Sequence, residues 1–479
     1  MNGKSLAEWA VEYGSSLGAG YVEARYVSTV DENYMARNGM FLNIQETPSE
    51  GIGVRVLVDG SMGYGATDGL DKKKLGELID SIVKMAKLSH LDDPIKLSEE
   101  KTVRTRWKVP VKVDFDDVSR EEKQGFISRL DKDIVKEAGK AVKNRIVFLT
   151  TRKMDKYIST SEGSVVDSRF SYGSVFTMMN AKVKHKTEQR MLGLGGTAGW
   201  EWISEHGIGG QVVSEAKKLV DTVKRAETVK FKEPIDVVVS GDVSGIMAHE
   251  NVGHPSEADR IMGREGAQAG ESFYKDLMDK GEMGKIKMGS ENVSIVDDPT
   301  LKASPGFYLY DDECVKARRR YLIKDGYLNE LLLNRQYAQE LDTHSNAAAR
   351  SVSYSREPIV RMANTFFEPG NHTRDELIED VKRGILMNSF TEWNIDDRRF
   401  HSKYVGLEAY LIENGVVTDT MVRRPVLELT TYGILGSIDG VSKDYVSRMA
   451  PCGKSDPMQP VPVSVGGPHV RMRNIEVRE

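Results

Sequence analysis

The dipeptide Asn38-Gly39, set between two half-apolar runs, constrains what this chain can fold into more than any other short feature. Asn-Gly is the strongest short-range signal for a tight hairpin between antiparallel strands. Before it, Val22, Ala24 and Tyr26 alternate with Glu23 and Arg25; after it, Ile52, Val54, Val56 and Val58 alternate up to Asp59-Gly60, a second turn candidate. A period of two gives a strand one apolar face. Helical spacing surrounds these strands. Leu6, Trp9, Ala10, Tyr13 and Leu17 follow Ser5 and Glu8, which read as a capping box. Leu75, Leu78, Ile79, Ile82 and Val83 predict a helix within 70–88, and Ser119 with Glu122 opens another to about residue 140. Strand-like runs occupy 145–192, and a helix is expected over 210–226.

Gly193 to Gly199 lacks the Lys-Ser/Thr ending of a phosphate loop and the spacing of a dinucleotide fingerprint, so it reads as a flexible turn. Lys230 to Pro234 is mostly charged and closed by proline. A domain boundary is expected there, dividing the 479 residues into 1–230 and 231–479. Ile235, Val237, Val238 and Val239 then form a short buried strand, and the last half mixes strands with helical stretches near 268–280 and 374–386.

Lys and Arg number 67 against 72 Asp and Glu, a net charge of −5 with no basic block, which argues against nucleic acid as the main partner. No run of about 18 apolar residues exists, so a membrane-spanning helix is excluded. Met1 to Glu8 runs into an amphipathic pattern with acids, unlike a secretory signal. The two cysteines, Cys314 and Cys452, make no disulfide framework, and a cytoplasmic setting is expected.

The chemistry concentrates at His249-Glu250-Asn251-Val252-Gly253-His254, continuing through Glu257 and Asp259. Zinc peptidases commonly space two histidines at i and i+4 on one helix face. Here the spacing is i and i+5, which at ~100° per residue sets the rings about 140° apart on a regular α-helix. Either a π-type turn brings them together, or the helix ends at His254, where Gly253 permits unusual dihedrals and Pro255 disfavours α geometry. A polar surface is the plain alternative. Against it, the segment follows a valine-rich strand, and Glu257 and Asp259 supply acids of the kind that orient ligating imidazoles. A third ligand is available in Pro451-Cys452-Gly453-Lys454, a loop-like setting. Two imidazoles and a thiolate suit Zn²⁺ and leave a fourth, open position.

These residues make the chain resemble the TldD branch of the TldD/PmbA metallopeptidase family, also described as modulators of DNA gyrase. The resemblance includes Gly51 to Arg55 with Gly63-Tyr64, His249 to Asp259, Asp297-Asp298-Pro299, Asp311-Asp312-Glu313, Arg361 to Thr365, Ala409 to Gly415 and Cys452-Gly453-Lys454. It implies zinc held by His249, His254 and Cys452, with Glu250 as the catalytic carboxylate. It implies an α+β, two-domain chain: an N-terminal α/β domain with antiparallel strands, and a C-terminal mixed-β domain carrying the zinc-binding helix. It further implies a homodimer, or a heterodimer with a family paralogue, acting on small or unfolded peptides. The rival is a non-catalytic or weakly active subunit that binds peptides. A thiolate ligand makes zinc a weaker Lewis acid, so slow turnover is expected.

Two departures stand out. Ser455 to Pro460 replaces the commonest family continuation after C-G-K, and Cys314 stands where glycine usually follows D-D-E. Cys314 reads as a small buried residue. His90, His185, His206, His344, His372, His401 and His469 have no comparable neighbours and are expected at the surface or in satisfied core positions. Core packing is expected of Trp200 and Trp202, with a peptide groove as rival; Tyr432 to Gly436 reads as strand and turn, with a substrate-pairing edge as rival.

Overall fold

The computed structural model describes residues 2–89, 91–266, 270–278 and 281–478. Helix α1 (Gly3–Ser16) leads into the long strands β1 (Tyr21–Arg37) and β2 (Met40–Val58), then β3 (Ser61–Asp68) and α2 (Lys72–Leu88). β4 (Arg104–Lys108) and α3 (Arg120–Ala138) precede three further strands, β5 (Val142–Thr160), β6 (Val165–Val183) and β7 (Lys186–Gly196). The seven form one sheet in the order β3-β2-β1-β5-β6-β4, with β7 also on β6. All pairs are antiparallel except β4–β6. The expected hairpin forms at Asn38-Gly39, and the turn expected at Asp59-Gly60 closes a second one. Asn38 and Gly39 (φ 50° and 79°), like Asp59 and Gly60 (φ 49° and 81°), adopt the left-handed dihedrals that a two-residue turn requires.

Strand alternation gives this sheet two unlike faces. On one, Val22, Ala24, Val54 and Val56 pack under α1 and α2. Farther along, Leu149, Val175 and Met179 pack with α3 and with α5 (Ile208–Arg225), which follows the short α4 (Trp200–Glu205). The other face turns toward the C-terminal half. There Arg55 bridges Glu23 and Glu313, at 2.8 Å to each, Arg25 donates to the Arg356 carbonyl at 2.7 Å, and Lys156 pairs with Asp312. The family-like segments around Arg55 and Asp311 to Glu313 thus meet across this junction. Burial alone would push these acids toward neutrality, yet Lys156 and Arg25 hold the Asp312 carboxyl below its ordinary range.

The C-terminal half is built on a six-stranded mixed sheet. Strand β8 (Ile235–Val239) lies at its centre, parallel to Arg383–Met387 and antiparallel to Val470–Ile475. The molecule is α+β, with mainly antiparallel sheets.

Several local expectations are corrected. Asn2, not Ser5, caps α1, accepting the Ser5 N–H. Gly193 to Gly196 is buried strand rather than flexible turn: β7 pairs with β6 to its last residue. The expected helix over 374–386 stops at Glu379, because Arg383–Met387 is recruited as a strand beside β8. Of 268–280, Tyr274–Met278 is helical; residues 268, 269, 279 and 280 lie outside the described residues. Thr431–Ser437 is a helix capped by Thr430, which removes the edge-strand reading of Tyr432 to Gly436.

Candidate metal centre

Beyond β8 the Ser240 side chain accepts the Asp242 N–H and caps helix α6 (Gly241–Ala248). The helix then widens into a π turn, His249–Gly253, closed by the His254 N–H donating to the His249 carbonyl. The i, i+5 spacing is therefore met by a π turn, and the two rings lie edge to face with centroids 4.7 Å apart. His254 opens a short 3₁₀ turn and keeps right-handed dihedrals (φ −63°, ψ −43°) despite Pro255. The break there is a change of helix type. Gly253 is also helical (φ −57°), so its value is space: a Cβ would sit 2.0 Å from Met362 Sδ.

Cys452 belongs to a strand, Met449–Cys452, paired with Val461–Ser464, and not to a loop. Its Sγ is 3.5 Å from His254 Nε2. One ligand atom from each of His249, His254 and Cys452 lies within 4.8 Å of the others, and all three side chains are buried. His249 Nδ1 is buried without a hydrogen-bond partner. A buried, unpaired imidazole nitrogen beside a second imidazole and a thiol is a donor set that zinc accepts.

Electrostatics favour the ligating form of the cysteine. Burial opposes the thiolate, but His254 and His249, with Arg361, outweigh it and hold the Cys452 thiol well below its ordinary range. The Arg361 guanidinium also donates to the Cys452 and Gln459 carbonyls, fixing the strand end. Burial likewise resists charge on Glu257, yet Lys454, His254 and Arg260 hold its carboxyl far below normal. His254 Nδ1–H donates to Glu257 Oε2 at 2.9 Å, and Arg260 Nε donates to the same oxygen at 2.6 Å. Asp259 meets neither imidazole. It accepts from Lys454 Nζ at 2.7 Å, and burial pushes its carboxyl up. The lysine of C-G-K thus ties the cysteine strand to the segment after the histidines.

Glu250 lines the same cavity as the three donors and has partners of its own. Trp393 Nε1 donates to its Oε1 at 3.3 Å, and Arg399 pairs with Oε2. Burial opposes its charge, but His254, His249 and Arg399 hold the carboxyl below normal. A cavity of about 410 Å³ opens beside the centre, lined by His249, Glu250, His254 and Cys452 together with Trp393 and Arg399. Sequence reasoning missed Trp393 and Arg399. Neither stood out in the sequence: Trp393 reaches Glu250 from strand Phe390–Ile395, and Arg399 from the loop joining that strand to His401–Gly406. Arg399 itself carries φ 60°, a left-handed conformation uncommon for a non-glycine residue.

No other described histidine joins the centre. His469 pairs with Asp444 at 2.6 Å, His206 stacks on Trp202, and His344 is exposed; His90 lies outside the described residues. Trp200 is buried in the core under α5, and Trp202 packs against it. The departing loop, Ser455 to Gln459, lines none of this cavity.

Comparison with known proteins bears on the chain as a whole. The chain is 29% identical to a metalloprotease of Methanocaldococcus jannaschii over 444 residues, 91% of this chain and 92% of the relative. It is 24% identical to a zinc metalloprotease TldD homolog of Saccharolobus solfataricus, covering 98% of each chain. Its fold matches the crystal structure of TldE from Thermococcus kodakarensis with a TM-score of 0.74 at 16% identity, over 99% of this chain and 100% of that one. Family models for PmbA/TldA metallopeptidases match in three segments: domain 1 over 22–86, the central domain over 113–221 and the C-terminal domain over 232–479. With the last model alone spanning more than half of its residues, the chain belongs to the PmbA/TldA metallopeptidase family.

Proposed function

We propose that the chain is a zinc-dependent metallopeptidase that hydrolyses small or unfolded peptides, with His249, His254 and Cys452 as metal ligands and Glu250 as general base. The observation that carries this reading is the convergence of three buried donor atoms within 4.8 Å beside a cavity that Glu250 also lines. His249, His254 and Cys452 would hold the zinc, and the ion would supply Lewis-acid polarisation of the scissile carbonyl and a more acidic water. Glu250 takes a proton from the attacking water and returns it to the amine nitrogen as the C–N bond breaks. Trp393 and Arg399 orient its carboxylate. The ion pair with Arg399 also weakens Glu250 as a base, so slow turnover is expected. Glu257 fixes the His254 ring, and Asp259 acts on the centre only through Lys454.

The same reading divides the chain near residue 230, places it in the cytoplasm and has it work as a homodimer or as a heterodimer with a paralogue. Among the described residues no helix is long and apolar enough to cross a membrane. The deciding experiment combines elemental analysis with peptide hydrolysis. The purified chain should carry about one zinc per protomer. Cys452→Ser and His254→Ala should each lower it. Glu250→Gln should keep the metal and lose roughly 10²–10⁴-fold in rate. Zinc lost together with activity in Glu250→Gln would make Glu250 a ligand and end the three-ligand assignment.

A further inference from the structure

A second cavity, of about 470 Å³, lies between the N-terminal sheet and the C-terminal half. Its floor is the sheet face that, among the described residues, no helix covers. Phe148 and Met154 of β5, with Phe170, Tyr172, Phe176 and Met178 of β6, stand on that face, and each is only half-buried. The same strands send Leu149, Val175 and Met179 to the opposite face, where α3 and α5 bury them fully. A sheet apolar on both faces usually has both covered. Here the second apolar row borders open space.

Charged groups at the rim are already matched. Lys156 pairs with Asp312, Arg152 makes two bonds to Asp31, at 2.6 and 2.8 Å, and Arg350 donates to the Met362 and Pro462 carbonyls. Asp311 accepts three backbone N–H groups, from Glu313, Val315 and Ala349. With each charge partnered, the cavity selects neither sign and suits a neutral, bulky side chain. Phe176, Met449 and Pro451 line both this cavity and the one at the metal centre. Pro451 adjoins Cys452, so a chain seated beside that cysteine continues past Met449–Pro451 into the second space.

We propose that this cavity binds a bulky apolar side chain, aromatic or branched aliphatic, of the same peptide whose scissile bond sits at the metal centre, and so sets a preference for apolar segments. The inference rests on the peptidase reading for its occupant. Unfolded chains expose such segments, whereas folded proteins bury them.

The test uses the full chain and two fluorescein-labelled ten-residue peptides, one with a Phe/Leu segment and one with Ser/Asn in those places. Fluorescence anisotropy with the Glu250→Gln protein measures binding without cleavage, and kcat/KM is measured on the wild type. The apolar peptide should bind at least about tenfold more tightly, as expected for burying one large apolar side chain. Phe148→Ser should reduce that ratio to below about threefold, with Met154→Gln as the second variant if Phe148→Ser does not fold. A ratio unchanged in a folded variant overturns the proposal, as does a wild-type ratio near one. So does an oligomer that dissociates on Phe148→Ser, which would give the face to a second copy of the chain. Selective binding without hydrolysis of either peptide would overturn the peptidase reading and leave the apolar site supported.

Discussion

Glu257 Oε2 receives the Nδ1–H of His254 at 2.9 Å, which leaves Nε2 of the same ring facing Cys452 Sγ at 3.5 Å. One carboxylate thereby sets both the tautomer and the direction of the imidazole. It is held there by Arg260 at 2.6 Å and by Lys454 at 3.4 Å. Carboxylates behind ligating histidines typically contribute 10–100-fold to metal affinity. Glu257→Gln should therefore weaken zinc binding by roughly that factor in a chelator competition, while circular dichroism shows a folded protein. Unchanged affinity would mean that the His254 ring is oriented by its packing alone.

Gly193 lies where a Cβ would stand 2.0 Å from the Met449 carbonyl oxygen, on the strand that ends in Cys452. Neither backbone can yield without moving the other. Gly193→Ala should destabilise the protein by about 1–3 kcal/mol, the usual cost of overpacking, and lower zinc occupancy by displacing Cys452. Thermal denaturation and elemental analysis read the two effects. Full occupancy with an unchanged midpoint would show that β7 and the cysteine strand are not in rigid contact.

Asp312 anchors the N-terminal sheet through Lys156 and is itself fixed in the C-terminal half by the Ser351 N–H at 2.7 Å. Its folded-state pKa is depressed, so its stabilising contribution is complete above the unfolded-state value of about 3.9 and is lost as pH falls through the lower folded value. Asp312→Asn removes the carboxylate from Lys156, whose side chain is 11% exposed, and should cost about 3 kcal/mol at pH 7. The gap between wild type and variant should begin to narrow as pH drops below about 4 and close only below the depressed folded-state value, where protonation removes the same charge from the wild type. Urea titrations at pH 7 and pH 3.5 provide the comparison. An equal gap at both values would place the cost in shape and not in charge.

Cys314 carries φ 63° while its side chain packs with Ile158 and Val166. Glycine relieves the backbone but gives up the packing, and the two effects are of similar size. Cys314→Gly should stay within about 1 kcal/mol of wild type. Cys314→Val adds β-branching to a left-handed residue and should cost more than about 2 kcal/mol. Equal midpoints for the two variants would contradict the backbone account.

What the chain makes legible is local. Asn38-Gly39 and Asp59-Gly60 specify their own dihedrals, and the alternation beside them specifies a strand face, so the hairpins follow from chain chemistry alone. The i, i+5 spacing of His249 and His254 narrows the local geometry to a π turn or a helix end, and the π turn is what forms. Expectation fails where a distant partner decides the outcome. Gly193 to Gly196 looks like a turn because glycine is permissive, yet these residues are strand, and Gly193 is small because Met449, 256 positions later in the numbering, packs against it. The end of the helical stretch expected near 374–386 becomes strand, in Arg383–Met387, because β8 offers it a ladder.

The sequence by itself determined the hairpins and helices of the first half, the donor types and the family resemblance. Only tertiary structure decided which atoms meet. Cys452 stands 198 residues from His254, and Arg399 stands 149 from Glu250; no periodicity links either pair. They meet because strands pair by register and cores close by burial, and these forces act between residues irrespective of how far apart they lie along the chain.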